Sequence, residues 1–108
     1  MILEEQSYRI QVGKVPALLA AYDERGLAVL RRHLGTLVGC WTSEAGGDMD
    51  TMVQVWGFAD HDDRARRRRA LDADEAWTTF AAEFGHLIVQ RRMRLLIPAL
   101  FSPPFGAP

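Results

Sequence analysis

Six side chains of this sequence could carry out acid–base chemistry or hold a polar ligand: Tyr8, Tyr22, His33, Gln54, Arg64 and Arg68. A histidine exchanges protons near neutral pH, and tyrosine hydroxyls and glutamine amides form hydrogen bonds with bound molecules. An arginine can stabilise negative charge on a carboxylate or an enolate. The sequence therefore predicts catalytic roles for the histidine and the two tyrosines, and substrate contacts for the glutamine and the two arginines.

Three tryptophans, Trp41, Trp56 and Trp77, are further candidates for substrate binding. Their large flat rings would suit an aromatic or polyketide-like molecule. The structural alternative is that these rings fill the core or a dimer interface, where most large aromatic side chains are found. Both interpretations place the three side chains in apolar surroundings.

The arginines and the histidine also have structural alternatives. Arg64 and Arg68 lie four residues apart, so they share one face of a helix and could form ion pairs with strand carboxylates such as Glu4 or Glu44. His33 lies one residue from a predicted helix end, where an imidazolium would complement the helix dipole. The sequence alone leaves both alternatives open.

Other functional classes have little support in the sequence. The arginines from Arg64 to Arg69 are spread around their helix, and the net charge is -1, so we expect no nucleic-acid partner. No metal-ligand spacing, glycine-rich phosphate loop or serine nucleophile motif occurs, and we expect no metal and no cofactor, although haem binding through His33 or His86 stays open. No apolar run is long enough to span a bilayer, so we expect a cytoplasmic protein without a membrane partner.

The predicted elements run strand, helix, strand, strand, helix, strand. Strands are predicted at residues 2–12, 36–44, 50–58 and 89–97, with a glycine turn at Gly46 and Gly47. Capping signals at Asp60 and Asp72 divide the second helical region in two, and Gly26 on the inward face of the first helix indicates close backbone approach or space for a ligand. This order predicts an α+β, ferredoxin-like βαββαβ fold with a four-stranded antiparallel sheet.

The second and third predicted strands, at residues 36–44 and 50–58, are apolar on both faces. An antiparallel sheet with one buried face normally carries polar residues on the other. A chain of 108 residues lacks enough helix to cover both faces, so we predict a homodimer whose sheets pack face to face. The only cysteine, Cys40, lies in one of these strands and is expected to be a small buried hydrophobe.

The sequence resembles the NIPSNAP family of the dimeric α+β barrel superfamily. The resemblance covers nearly the whole chain and rests on these segments: Glu4, Tyr8 and Gly13; Gly35-Thr-Leu-Val-Gly-Cys-Trp41 with Glu44 and Gly46; Val53-Gln-Val-Trp56; Asp63-Arg-Ala-Arg-Arg-Arg-Arg-Ala-Leu71; Asp74, Trp77 and Phe80; Pro98 and Phe101-Ser-Pro103. Gln6, Cys40 and Gln54 depart from the family pattern, in which arginine, tyrosine and histidine are common. The length of 108 residues predicts one domain, residues 1–108, and Pro98, Pro103 and Pro104 predict that it ends in an extended strap at 98–108. The resemblance implies a homodimer with a ligand-sized cavity in each protomer.

Two functional hypotheses follow. In the first, the protein is a cofactor-independent enzyme of the isomerase, cyclase or monooxygenase type that acts on a small hydrophobic metabolite or natural-product intermediate. In the second, the same cavity serves a non-catalytic ligand-binding or protein-interaction dimer. The superfamily includes several types of enzyme and proteins with no known reaction, so fold resemblance does not choose between the two hypotheses.

Overall fold

The four strands form one antiparallel sheet in the order β2-β3-β1-β4. The computed structural model describes residues 1–104. Its strands are β1 (Ile2–Ile10), β2 (Thr36–Thr42), β3 (Thr51–Phe58) and β4 (Ile88–Leu96); its helices are α1 (Val15–Ala21), α2 (Leu27–Leu34), α3 (His61–Asp72) and α4 (Glu75–Phe84). A π-helical turn (Tyr22–Gly26) joins α1 to α2, and a 3₁₀ turn (Gly85–Leu87) leads into β4. The predicted ferredoxin-like α+β fold is confirmed.

Strand β1 shows how the sheet separates its two faces. Alternate residues of β1 are buried and pack with β3 residues and the helices in one hydrophobic core. The register places Tyr8 opposite Met52 and Glu4 opposite Trp56, so these four side chains share the face towards the helices. The alternate side chains of β1, such as Leu3 and Ser7, lie on the opposite face of the sheet.

The first helical region buries a residue at every fourth position: Leu18, Tyr22, Gly26, Leu30 and Leu34. In a regular α-helix, positions four apart drift by about 40° around the axis, so five such positions would not stay on one face. The π-helical turn has more residues per turn and therefore reverses part of this drift. The turn thus keeps both ends of the helical region directed at the sheet.

Of the two helix caps predicted in the second helical region, the cap of α3 is confirmed and the cap of α4 lies at a different residue. The Asp63 N–H donates to the Asp60 carboxylate at 2.7 Å, so Asp60 caps α3 as predicted. The expected cap at Asp72 is wrong, because Asp72 is the last residue of α3. Asp74 caps α4 instead, accepting a hydrogen bond from the Ala76 N–H at 2.9 Å.

Two further expectations concern Cys40 and the C-terminal segment. Cys40 is exposed, not buried, and it lies on the edge strand β2. In the segment predicted as an extended strap, the Ser102 N–H donates to the Ala99 carbonyl at 2.9 Å and forms a turn. Residues 105–108 of that segment lie outside the described part. No helix in residues 1–104 is long and apolar enough to cross a membrane.

A buried carboxylate joins α3 to the sheet. Glu4 on β1 is completely buried and accepts hydrogen bonds from Arg64 Nε and Nη2, at 2.9 and 2.6 Å, and from both Nε and Nη2 of Arg68. The ion pairs predicted from the arginine spacing are thus confirmed for Glu4. Glu44, the other predicted carboxylate, is exposed. Burial alone would raise the pKa of Glu4, but hydrogen bonds and charge from Arg68 and Arg64 outweigh it and hold that pKa below its ordinary value.

We predict that Glu4→Gln destabilises the fold by about 3 kcal/mol at neutral pH, because it leaves two partly buried arginines without a counter-charge. A lowered folded pKa gives stability that is fully present above the ordinary pKa of a glutamate, about 4.3, and is lost as the pH falls through the folded value. Chemical denaturation of the variant should therefore show a smaller loss of stability on acidification than the original chain.

Glu83→Gln is the matched control, because Glu83 forms an ion pair with Arg25 in which both side chains are about half exposed. Such pairs contribute about 0–1 kcal/mol, so this variant should stay within that range. An equal cost for the two variants would contradict the special role of Glu4.

Candidate functional site

A cavity of about 450 Å³ lies between the helices and the sheet. This volume is in the range of small-molecule sites. Its walls come from β1, β3, the start of β4, the π-helical turn and helices α1 to α4. Its aromatic, polar and charged lining includes the side chains of Tyr8, Tyr22, Gln54, Trp56, Arg68, Asp72, Trp77, Phe80, Phe84 and Arg91. The cavity therefore combines an aromatic lining with a few polar and charged groups.

The aromatic wall is built around Phe80 of α4. Its ring centroid lies 5.1 Å from that of Tyr22, 5.6 Å from Trp77 and 4.9 Å from Phe84. A Cβ atom placed on Gly26 would lie 2.6–2.9 Å from three atoms of the Phe80 ring, closer than packed atoms tolerate. The absence of a side chain at Gly26 therefore lets Phe80 sit against the helix backbone, as the sequence indicated.

The polar groups of the cavity gather around Tyr8. The guanidinium carbon of Arg91 lies 5.7 Å from the centroid of the Tyr8 ring, a cation–π distance. Arg68 lines the same cavity from α3 while it is held by Glu4. Gln54 accepts a hydrogen bond from the Trp56 indole N–H at 3.2 Å, which fixes its amide at the cavity wall.

Both tyrosines of the cavity keep their protons at neutral pH. Burial raises the pKa of Tyr8, and the nearby charges of Arg91 and Arg68 only partly offset this effect. Burial is also the main cause of the upward shift in the pKa of Tyr22. A neutral hydroxyl donates a hydrogen bond, whereas proton abstraction would require a tyrosinate. The cavity thus presents two hydroxyl donors and no tyrosinate base.

Six of the nine predicted site residues line the cavity: Tyr8, Tyr22, Gln54, Trp56, Arg68 and Trp77. Arg64 lies behind the cavity and contacts Glu4. His33 lies outside the lining, with its Nε2 atom 2.7 Å from an Asp74 carboxylate oxygen. His33 and Asp74 therefore form a contact between α2 and the start of α4, away from the cavity.

Trp41 also lies away from the cavity. The register between β2 and β3 shifts between Leu37 and Gly39, which reverses the faces of the residues that follow. Trp41 therefore pairs with Val53, on the sheet face opposite to Gln54 and Trp56, and it is 53% exposed.

Arg91 lines the cavity but was not among the site residues predicted from the sequence. The antiparallel register of the first and last strands, which places Arg91 beside Tyr8, could have indicated its position. Gln6, between Glu4 and Tyr8 on the same strand face, has a buried Oε1 atom without a hydrogen-bond partner in residues 1–104. Within the same range, no three histidine, cysteine, aspartate or glutamate side chains form a potential metal site.

Comparison with known proteins places this architecture in a family. Residues 3–103 match the NIPSNAP family. The chain belongs to the NIPSNAP family. A NIPSNAP family protein of unknown function from Agrobacterium tumefaciens is 38% identical, with a TM-score of 0.92, over 95% of this chain and 92% of that chain. The resemblance stated from the sequence is therefore confirmed.

Two other similarities are more limited. Protein NipSnap homolog 3A from Homo sapiens is 32% identical over 74 residues, which are 68% of this NIPSNAP chain and 29% of that protein. This chain therefore matches under a third of that relative's length. The structure of an antibiotic biosynthesis monooxygenase has a TM-score of 0.62 at 15% identity, over 92% of this chain and 99% of that chain. At that identity the similarity shows a shared fold and nothing about activity.

We predict that Gly26→Ala destabilises this NIPSNAP protein by about 1–2 kcal/mol. Displacing the packed Phe80 ring should cost about 1–3 kcal/mol, and the better helix propensity of alanine returns at most about 1 kcal/mol. Gly85→Ala is the control, because a Cβ atom there meets nothing within 4 Å. Chemical denaturation should show no loss for the control, and equal stabilities of the two variants would contradict the contact between Gly26 and Phe80.

Proposed function

We propose that this NIPSNAP protein binds a small hydrophobic organic molecule that contains an aromatic or similarly flat ring. The observation that supports this proposal is the cavity of about 450 Å³, with its aromatic wall around Phe80 and its polar groups around Tyr8. Flat rings pack well against such a wall, and the few polar groups can fix one orientation of the ligand. The cavity thus suits a ring that carries one polar end.

The catalytic form of the proposal is a cofactor-independent enzyme of the isomerase, cyclase or monooxygenase type. Its substrate would be an enolisable metabolite or natural-product intermediate. Hydroxyl donors on Tyr8 and Tyr22, with the guanidinium of Arg68, would stabilise the negative oxygen of an enolate. Since both tyrosines stay protonated, their role would be to donate hydrogen bonds, and the proton of the substrate would have to leave to another acceptor.

The second candidate is a non-catalytic ligand-binding or protein-interaction dimer. The position of His33 favours it, because the histidine predicted as the acid–base group contacts Asp74 and does not line the cavity. In this case the same aromatic wall and polar groups would bind a ligand without converting it.

A homodimer is part of both proposals. The sheet face opposite the helices carries apolar side chains on its central strands, including Leu3, Val53 and Val55, and the half-exposed Trp41 beside them. Val55 is already buried in the single chain, and a second copy that packed its sheet on this face would also cover Leu3, Val53 and Trp41.

We predict that native mass spectrometry of the untagged protein detects a bound small molecule that solvent extraction releases. Ala81→Phe should abolish the bound mass, because Ala81 lines the cavity and a larger side chain there would occupy it. Ala82→Phe changes the next residue of the same helix, which is exposed and does not line the cavity, and should keep the ligand.

One further measurement separates the two candidate functions. Incubation with the extracted molecule should yield a product of different structure if the protein is an enzyme, and the unchanged molecule if it only binds. Retention of the ligand by Ala81→Phe would contradict the cavity as the binding site.

We also predict a dimer mass that Val53→Lys converts to a monomer, because the lysine would place a charge in the centre of the apolar sheet face. Ala20→Lys adds the same charge on an exposed position of α1 and should remain dimeric. Light scattering after size exclusion measures both, and a monomeric original chain would rule out the dimer.

A further inference from the structure

Arg91 is the charged residue of the cavity whose role the fold does not explain. It lies on the edge strand β4, is largely exposed, and lines the cavity beside Tyr8. The other arginine that lines the cavity, Arg68, forms an ion pair with Glu4, whereas no carboxylate in residues 1–104 forms one with Arg91. Its contact is with the face of the Tyr8 ring, at 5.7 Å from the guanidinium carbon. A charge in this position is available to a ligand.

Arg68 of α3 lines the same cavity as Tyr8 and Arg91. Glu4 engages Arg68 through its Nε and Nη2 atoms, which form one edge of the guanidinium plane. No hydrogen bond in residues 1–104 uses its remaining nitrogen, Nη1. The contact with Glu4 thus fixes the orientation of Arg68 while leaving one pair of N–H donors for another partner.

Tyr8 lines the same cavity as both arginines. The Arg91 guanidinium lies over the face of the Tyr8 ring, and Arg68 is held by Glu4, which precedes Tyr8 by four residues on the same face of β1. Because the hydroxyl stays protonated, it adds a third donor of the kind that a negative oxygen accepts. Three donors from α3, β1 and β4 therefore line one cavity together with its aromatic wall.

The charge balance of the site indicates how much negative charge it can accept. Arg68 and Arg91 line the cavity together with one aspartate, Asp72. Behind them, Glu4 and Arg64 cancel each other. One positive charge remains, which matches a ligand that carries a single negative charge.

We propose that Arg91, Arg68 and Tyr8 form an anion subsite, so that the ligand of this cavity is a flat-ringed monoanion with a carboxylate or an enolate oxygen. This inference rests on the proposed binding function and specifies its ligand class. Glu4 is a positioning residue in this arrangement, because it acts on the ligand only through the orientation of Arg68.

Isothermal titration calorimetry with 2-naphthoate and its neutral isostere 2-naphthamide tests the subsite. At neutral pH, 2-naphthoate should bind at least about tenfold more tightly, which corresponds to about 1.4 kcal/mol. Arg91→Gln should remove most of this preference by weakening 2-naphthoate, while the affinity for 2-naphthamide changes less than about twofold. Tyr8→Phe should reduce the preference in the same direction.

Arg69→Gln is the matched control, because it removes the same charge from an exposed position that does not line the cavity. It should leave the affinities of both probes unchanged. Equal affinities for the two probes, or an equal effect of Arg69→Gln and Arg91→Gln, would overturn the anion subsite and leave the binding function in place. Failure of both probes to bind would count against the subsite and the proposed binding function together.

Discussion

The contact of Glu4 with Arg64 and Arg68 determines how helix α3 attaches to the sheet. Helix α3 contains only three apolar side chains, Ala65, Ala70 and Leu71, too few to hold it on the sheet by apolar burial alone. A buried carboxylate needs strong partners, and the two arginines supply four charge-assisted hydrogen bonds. The helix is therefore fixed by charge at the point where most helices are fixed by hydrophobic packing.

The same contact links the fold to the chemistry of the cavity. Glu4 holds one edge of the Arg68 guanidinium, and Arg68 lines the cavity together with Tyr8. The aromatic wall depends on a different constraint, the close approach of Phe80 to Gly26. Since one constraint is electrostatic and the other is steric, the polar end and the aromatic wall of the cavity have separate structural origins.

Alternation, capping and glycine signals predicted the four strands, the cap at Asp60 and the close approach at Gly26, and the arginine spacing predicted the pairing with Glu4. The positions of His33 and Trp41 could not be predicted, because each depends on one extra residue inserted into a regular element: one in the first helical region and one in β2. The π-helical turn makes Leu30 and Leu34 line the cavity where a regular helix would present His33. A register shift at the start of β2 likewise moves Trp41 to the far face of the sheet. Neither irregularity leaves a clear signal in residue types.

The π-helical turn also has a consequence for how relatives of this chain should be aligned. A π-helical turn corresponds to one residue more than a regular helix needs over the same length. A relative with one residue fewer between positions 22 and 26 could form an uninterrupted α-helix, and residues before the deletion would rotate by about 100° relative to those after it. A gap at this place in an alignment would therefore mark proteins in which the tyrosine equivalent to Tyr22 no longer faces the same space as Leu30, and whose cavity has a different lining.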